Sequence, residues 1–167
     1  LDSLSEEARS FFLEKHSARE KALGLSRKTI QLSANAIRSS HRQEFQEARE
    51  LLENAKTSVA KMHEIRKNHP EVYFSGFVHD SQKEYAEAHT TLALICGISL
   101  PKPADLNIPF APYLNGLGEA IGEMRRYILD SLRKGESSRC EDMLDTMDQI
   151  YTQLFTMDFP EAITGGL

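Results

Sequence analysis

Cysteines and long apolar runs are both scarce in this chain. Only Cys96 and Cys140 occur among its 167 residues, far apart and in helical contexts. Two such cysteines do not form the disulfide framework of a small secreted protein, so we expect reduced thiols and a cytoplasmic location. The longest apolar run, residues 92–98, is too short for a bilayer span, and the N-terminus lacks the pattern of a signal peptide. We therefore expect neither export nor a membrane partner.

Alternating apolar and polar residues, which are typical of half-buried strands, are also rare. No such run extends beyond a few positions, although 40% of the residues are hydrophobic. A chain of this length can bury roughly 70% of its unfolded surface, which is enough to fold without disulfides or structural metals. The sequence predicts a single soluble all-α domain over residues 1–167, in which any bound metal is functional.

Apolar residues recur at helical spacing along almost the whole chain. Ser3 or Ser5 is the expected N-cap of the first helix, while Gly97 and Gly135 are expected to follow the third and fourth helices. Prolines indicate irregular segments at about 70–76, in a connection of roughly 15 residues before 113, and after Pro160. The pattern predicts five long helices at about residues 3–40, 43–68, 77–95, 113–134 and 137–157.

Charge is distributed unevenly within the net charge of −5. Residues 1–70 carry 13 Lys and Arg against 10 Asp and Glu, or +3, whereas residues 71–167 carry 7 against 15, or −8. Residues 21–42 contain no acid, so this segment is either a phosphate-binding strip or a solvated helix face. In an acidic protein, one basic segment favours a polyanionic partner. Its candidate nucleic-acid-binding residues are Arg27, Lys28, Arg38, His41 and Arg42.

Two pairs of glutamates are spaced to place both carboxylates on one face of a helix. Glu84 and Glu87 lie on the third predicted helix, and Glu119 and Glu123 lie on the fourth. Four carboxylates, without cysteine or histidine at suitable spacing, form the oxygen-only ligand set that Mg²⁺ or Mn²⁺ prefers. Such ions activate water against phosphodiesters, so a nuclease is the first functional hypothesis.

Each acid pair also has a plainer interpretation. The acids of the third helix, together with Asp80, stack without a basic partner and could form a solvated acidic face. On the fourth helix, Arg126 lies between Glu123 and Asp130, so a surface salt-bridge ladder is a competing explanation. Glycines near Glu119 and Glu123 favour a functional site, because each costs about 1 kcal/mol in a helix and usually permits close approach of another helix or a ligand. These glycines are Gly116, Gly118 and Gly122.

Three stretches of the chain together resemble the translin and translin-associated factor X family. Residues 112–126, PYLNGLGEAIGEMRR, resemble the signature helix of that family. Residues 83–88, KEYAEA, resemble the glutamate-bearing helix of the factor X branch, and the segment 19–42 resembles the basic first helix of that branch. The resemblance covers nearly the whole chain in order.

The resemblance implies an antiparallel helical bundle of the translin type, assembled into a closed octameric shell that cleaves RNA with the help of a metal. About five to six of some seven helices are expected here, with the final family helix missing. Glu84 and Glu87 match the two glutamates of the factor X active site, Glu123 matches a further glutamate, and Glu119 stands where the family has an aspartate. The translin branch lacks this acid set and mainly binds nucleic acid.

The combined expectation is a Mg²⁺- or Mn²⁺-dependent endoribonuclease acting on single-stranded or flexible RNA. We expect a homo-oligomer, an octamer by resemblance, which a translin-type partner subunit could join. The alternatives are a non-catalytic protein that binds single-stranded RNA or DNA, a helical adaptor, and a ferritin-like di-iron bundle, whose Glu-x-x-His motifs are absent. The residues expected to bind the metal and act in catalysis are Glu84, Glu87, Glu119 and Glu123.

Overall fold

Five long helices form the protein, and three helices of one turn lie between or after them. A computed structural model describes all residues 1–167 and contains no strand, so the prediction of an all-α fold is confirmed. None of the helices combines the length and the apolar character needed to cross a bilayer. The helices are α1 (Asp2–His41), α2 (Phe45–Ile65), α3 (Pro70–Tyr73), α4 (Gly76–Cys96), α5 (Pro103–Leu106), α6 (Phe110–Arg133), α7 (Cys140–Phe155) and α8 (Glu161–Thr164).

The helix ends follow the sequence most closely where proline or glycine determines them. Gly97 lies in the left-handed region at φ 67° and ends α4, and Gly135 at φ 80° follows α6. The predicted serine cap of α1 is wrong, since Leu1 occupies the N-cap position and makes no side-chain hydrogen bond. Each of the three segments predicted to be irregular contains a one-turn helix. Proline takes the first position of α3 and α5, where it favours helical geometry, and Pro160 is the N-cap of α8.

Small residues on α1 pack against apolar residues on α2 and form what we call the small-residue seam. Their buried positions alternate by four and three residues, which is the heptad spacing of helices that pack at a shallow angle. The hydroxyl of Thr29 donates to the Leu25 carbonyl at 2.9 Å, and that of Ser26 lies 3.3 Å from the Met62 sulfur, so these polar groups are satisfied inside the seam. The seam residues are Ala22, Ser26, Thr29, Ser33, Ala36 and Ser40 on α1, and Ala48, Leu52, Ala55, Val59 and Met62 on α2.

Gly116 sets the distance between α4 and α6. A Cβ atom at Gly116 would lie 2.7 Å from the backbone nitrogen of Glu87 and 2.8 Å from the Cβ of Ala86, so only glycine fits there. The expected close approach is thus confirmed at Gly116, whereas a Cβ at Gly122 would meet no atom within 4 Å. The backbone of α4 therefore rests directly on α6, one turn before Glu119.

Replacement of Gly116 by alanine is expected to lower the free energy of unfolding by about 1–3 kcal/mol, because the added methyl group overpacks the contact with α4. Gly122→Ala, on the same helix, is the matched control. It should raise stability by up to about 1 kcal/mol, since alanine has the higher helix propensity and the position is open. Urea unfolding followed by circular dichroism measures both values, and equal effects of the two substitutions would contradict the packing argument.

Candidate metal centre and nucleic-acid surface

Three of the four glutamates expected to bind metal converge between α4 and α6. One carboxylate oxygen from each of Glu84, Glu87 and Glu119 lies within 4.8 Å of the other two. Glu84 and Glu87 are one turn apart on α4, and Glu119 follows the Gly116 contact on α6. We call these three residues the acid cluster. Their oxygens are close enough to one another to coordinate a single ion.

Glu87 is the most strongly perturbed member of the acid cluster. It is only 8% exposed, and its carboxylate forms no ion pair or hydrogen bond. Burial raises the pKa of Glu87 to about 8, and repulsion from Glu84, Glu119 and Glu123 adds to this effect. The alternative interpretation, in which the acids of the third predicted helix form a solvated acidic face, is therefore wrong at Glu87.

Lys83 supplies a basic partner that the sequence analysis did not identify. Its Nζ lies 2.7 Å from Oε1 of Glu119 and 3.9 Å from Oε1 of Glu84. The hydrogen bond to Glu119 raises the pKa of Lys83 above its ordinary value. Spacing along the third predicted helix gave its acids no basic partner, so a cation or a basic neighbour was expected to offset them; Lys83 is such a neighbour for Glu84 and Glu119 but not for Glu87. The partnership crosses from α4 to α6, so spacing along one helix gave no signal for it.

Glu123, the fourth glutamate, lies beside the acid cluster but faces His41. The Nε2 atom of His41 is 2.5 Å from Oε2 of Glu123, and the side chain of His41 is only 9% exposed. The other ring nitrogen of His41 is buried without a hydrogen-bond partner. Arg126 reaches the same carboxylate only at 3.9 Å, and Asp130 pairs with Arg133 at 3.5 Å. The salt-bridge ladder expected around Arg126 is therefore incomplete.

The remaining predicted RNA-binding residues lie on the exposed side of α1, opposite the small-residue seam, and Arg42 is the C-cap of this helix. At about 100° per residue, Arg27, Lys28, Arg38 and Arg42 fall within an arc of about 100°. The first three form no ion pair, and Arg38 donates to Asn35 at 2.5 Å. Arg42 instead binds Glu44 at 2.6 Å and Glu47 at 3.6 Å, so its charge is already compensated.

A groove of about 800 Å³ opens beside Glu119, between α6 and the C-terminal segment. Tyr151, Phe155 and Phe159 line it, and all three side chains are exposed. The rings of Tyr151 and Phe155 are stacked, with centroids 5.9 Å apart and an interplanar angle of 28°. The groove therefore joins an aromatic surface to one wall of the acid cluster.

The buried carboxyl of Glu87 makes the metal-free protein less stable as the pH rises. The folded chain retains a proton at this group up to about pH 8, whereas the unfolded chain loses it near pH 4.5. This contribution to stability is complete below about pH 4.5 and is lost as the pH rises through about 8. Glu87→Gln cannot ionise. We therefore expect its free energy of unfolding, relative to that of the parent, to be a few kcal/mol higher at about pH 8.5 than at about pH 5.

Urea unfolding in EDTA at those two pH values measures the gain. Glu64→Gln, at an exposed position on α2, is the matched control and should follow the parent at both values. An identical pH dependence for the parent and Glu87→Gln would contradict the raised pKa of Glu87.

Known proteins resemble this chain in sequence and in structure. No family model matches the sequence. The chain is 26% identical over 156 residues to the uncharacterized protein MJ0175 of Methanocaldococcus jannaschii, covering 92% of this chain and 69% of that protein. It also superposes on the structure of apo-NeC3PO with a TM-score of 0.83, at 22% identity, over 96% of this chain and 83% of the other. That similarity supports the fold.

Two structures of AfC3PO are more similar in sequence. The crystal structure gives a TM-score of 0.89 at 33% identity, and the complex of AfC3PO with duplex RNA gives 0.88 at 32%. Both comparisons cover 97% of this chain and 84% of the other. C3PO proteins are of the translin and translin-associated factor X type. By fold and by sequence, the chain belongs to the translin and translin-associated factor X family.

Proposed function

We propose that this protein is a metal-dependent endoribonuclease of the factor X branch, acting on single-stranded or flexible RNA inside an oligomeric shell. Glu87 carries the proposal. A carboxyl group that is 8% exposed and unpaired, beside two other carboxylates, is costly to ionise unless a cation neutralises it. Perturbed groups of this kind are enriched at functional sites.

The donor set fits a hard divalent ion, because it consists of carboxylate oxygens alone. Glu84, Glu87 and Glu119 would hold Mg²⁺ or Mn²⁺, with Glu123 as the fourth ligand. When bound, such an ion lowers the pKa of a coordinated water and neutralises charge that develops on the phosphate. His41 would orient the carboxylate of Glu123 through its short hydrogen bond, as partners of metal ligands commonly do.

The basic side of α1 supports RNA as the partner. Arg27, Lys28 and Arg38 are exposed and free of acidic partners, so they can bind phosphates without first breaking an ion pair. Arg38 lies one turn before His41, which contacts Glu123, so this end of α1 reaches the candidate metal centre. AfC3PO, at 32% identity, has been solved with duplex RNA. We extend RNA binding to this chain on these grounds.

The aromatic groove favours a flexible strand as the substrate for cleavage. Unpaired bases stack on aromatic side chains, whereas bases within a duplex are already stacked on one another. Tyr151, Phe155 and Phe159 offer such a surface beside Glu119. A strand whose phosphate approaches the acid cluster could therefore place a neighbouring base in the groove. Duplex RNA, by this reasoning, binds but is cut more slowly.

Exposed apolar residues support the proposed assembly. Leu4, Phe11, Phe12 and Leu13 are each about 60% exposed in the first turns of α1. Such a concentration of apolar side chains on a helix marks an interaction surface. A homo-oligomer, an octamer by family resemblance, would cover them.

One observation favours the alternative function, a translin-like protein that binds nucleic acid without cutting it. The ammonium group of Lys83 already neutralises Glu119, and a cluster compensated in this way needs less charge from a metal. Cleavage assays separate the two functions, because a binder retains RNA without degrading it.

Labelled RNA, incubated with the purified protein in Mg²⁺ or Mn²⁺ and in EDTA, tests the proposed activity. We expect cleavage only with the metal ion, and faster cleavage of single-stranded than of duplex RNA. Glu87→Gln and Glu123→Ala should abolish cleavage while filter retention of RNA survives, because these changes remove metal ligands and leave the basic side of α1 intact. The exposed Glu64→Gln is the control and should cut at the parental rate.

Light scattering on the same samples gives the mass of the assembly. Parental cleavage rates in EDTA or in Glu87→Gln would overturn the metal assignment. If a monomer cleaves RNA at the full rate, the proposal that cleavage takes place inside an oligomeric shell is wrong.

Combined replacement of Arg27, Lys28 and Arg38 by alanine should weaken RNA binding at low salt. The plot of log K against log[salt] has a negative slope, and each lost phosphate contact on a single strand makes it about 0.7 less negative. The slope of the triple variant should therefore be less negative than that of the parent by up to about 2. Arg42→Ala is the matched control, because Glu44 and Glu47 already compensate its charge. Filter binding over a series of salt concentrations measures the slope, and an equal loss per residue in Arg42→Ala would contradict the assignment.

A further inference from the structure

Lys83 introduces a fixed positive charge into the acid cluster. Its ammonium group is 2.7 Å from Glu119 and 3.9 Å from Glu84, and the side chain is 23% exposed. The ammonium group therefore lies between a carboxylate of α4 and a carboxylate of α6. A lysine in this position offsets the negative charge of the carboxylates as a bound metal ion would.

The charges of the cluster match a single divalent ion. Glu84, Glu87 and Glu119 carry three negative charges when ionised, and Lys83 offsets one of them. Glu123 is left out of this count, because in the metal-free protein it is bonded to His41 and its oxygens lie outside the converging group. The two charges that remain belong mainly to Glu84 and Glu87 on α4, because Glu119 is bound to the lysine.

A second divalent ion would lack a free carboxylate. Two-metal sites hold their ions about 3.5–4 Å apart and share oxygen ligands between them. Glu119, the acid that α6 contributes to the cluster, already accepts the hydrogen bond from Lys83 on one carboxylate oxygen. A second ion next to Glu119 would therefore have to displace the lysine and would then be repelled by its charge.

We propose that the site takes one divalent ion, held chiefly by Glu84 and Glu87, and that the ammonium group of Lys83 replaces a second ion beside Glu119. The inference rests on the proposed function, since it requires that these glutamates bind a metal. Lysine carries three N–H donors, and Glu119 takes one of them. The other two are available to phosphate oxygens, so Lys83 supplies the second positive charge for the phosphodiester.

The stoichiometry of Mn²⁺ binding tests this inference without measuring activity. Isothermal titration of the metal-free protein with Mn²⁺ counts the ions per chain, and electron paramagnetic resonance detects coupling between neighbouring ions. We expect one uncoupled Mn²⁺ per chain in the parent and in Lys83→Arg, which keeps the charge. Lys83→Met and Lys83→Gln should bind two coupled ions, because the charge is lost and Glu119 is released. Lys56→Met removes an exposed lysine that pairs with Glu53 and should resemble the parent.

Each other result overturns the inference in a distinguishable way. Two ions in the parent would mean that Lys83 does not replace one. One ion in Lys83→Met and Lys83→Gln, with circular dichroism showing that both variants are folded, would mean that the lysine does not limit the number of ions. No binding in the parent would overturn the proposed metal centre itself, and the inference with it.

Discussion

The contact between α4 and α6 at Gly116 is the constraint on which the candidate site depends. Because this position has no side chain, the backbone of α4 near Glu87 rests on α6. That contact brings the carboxylates of two helices within 4.8 Å and buries Glu87 among them. The separation of the acids is therefore set by backbone packing rather than by flexible side chains. The repulsion between these carboxylates is offset by the favourable packing of the helices elsewhere in the bundle.

The four glutamates consequently have different environments, although the sequence presents them as two similar pairs. Glu119 is bound by Lys83, and Glu123 is bound by His41. Glu84 has only a distant contact with Lys83, and Glu87 has no partner. The two carboxyl groups without a close basic partner are thus both on α4, and that of Glu87 is buried. This asymmetry sets the acid cluster apart from an ordinary surface salt-bridge network, in which every acid is exposed and paired.

Much of the fold follows from residues whose conformational preferences are strong. Gly97 and Gly135 follow helices where the sequence predicted, and Gly116 correctly indicated a close helix contact. Periodicity also placed each glutamate pair on one helix face. Partners on different helices could not be predicted from the sequence, because the rotation and axial position of one helix relative to another depend on the packing of the whole core. Lys83 beside Glu119 and His41 beside Glu123 are separated by 36 and 82 residues, and spacing carries no signal over such distances.

The helix α1 is continuous in its hydrogen bonding but uneven in its packing. Its 40 residues rise about 60 Å, yet its first buried residue is Ala22, and nearly all of residues 2–13 are exposed. Helical turns without tertiary contacts are only marginally stable in water, so the amide hydrogens of this end should exchange rapidly in an isolated chain. They would become protected only when another surface covers them. Hydrogen exchange at the start of α1 would therefore report on assembly, while exchange after Ala22 would report on folding.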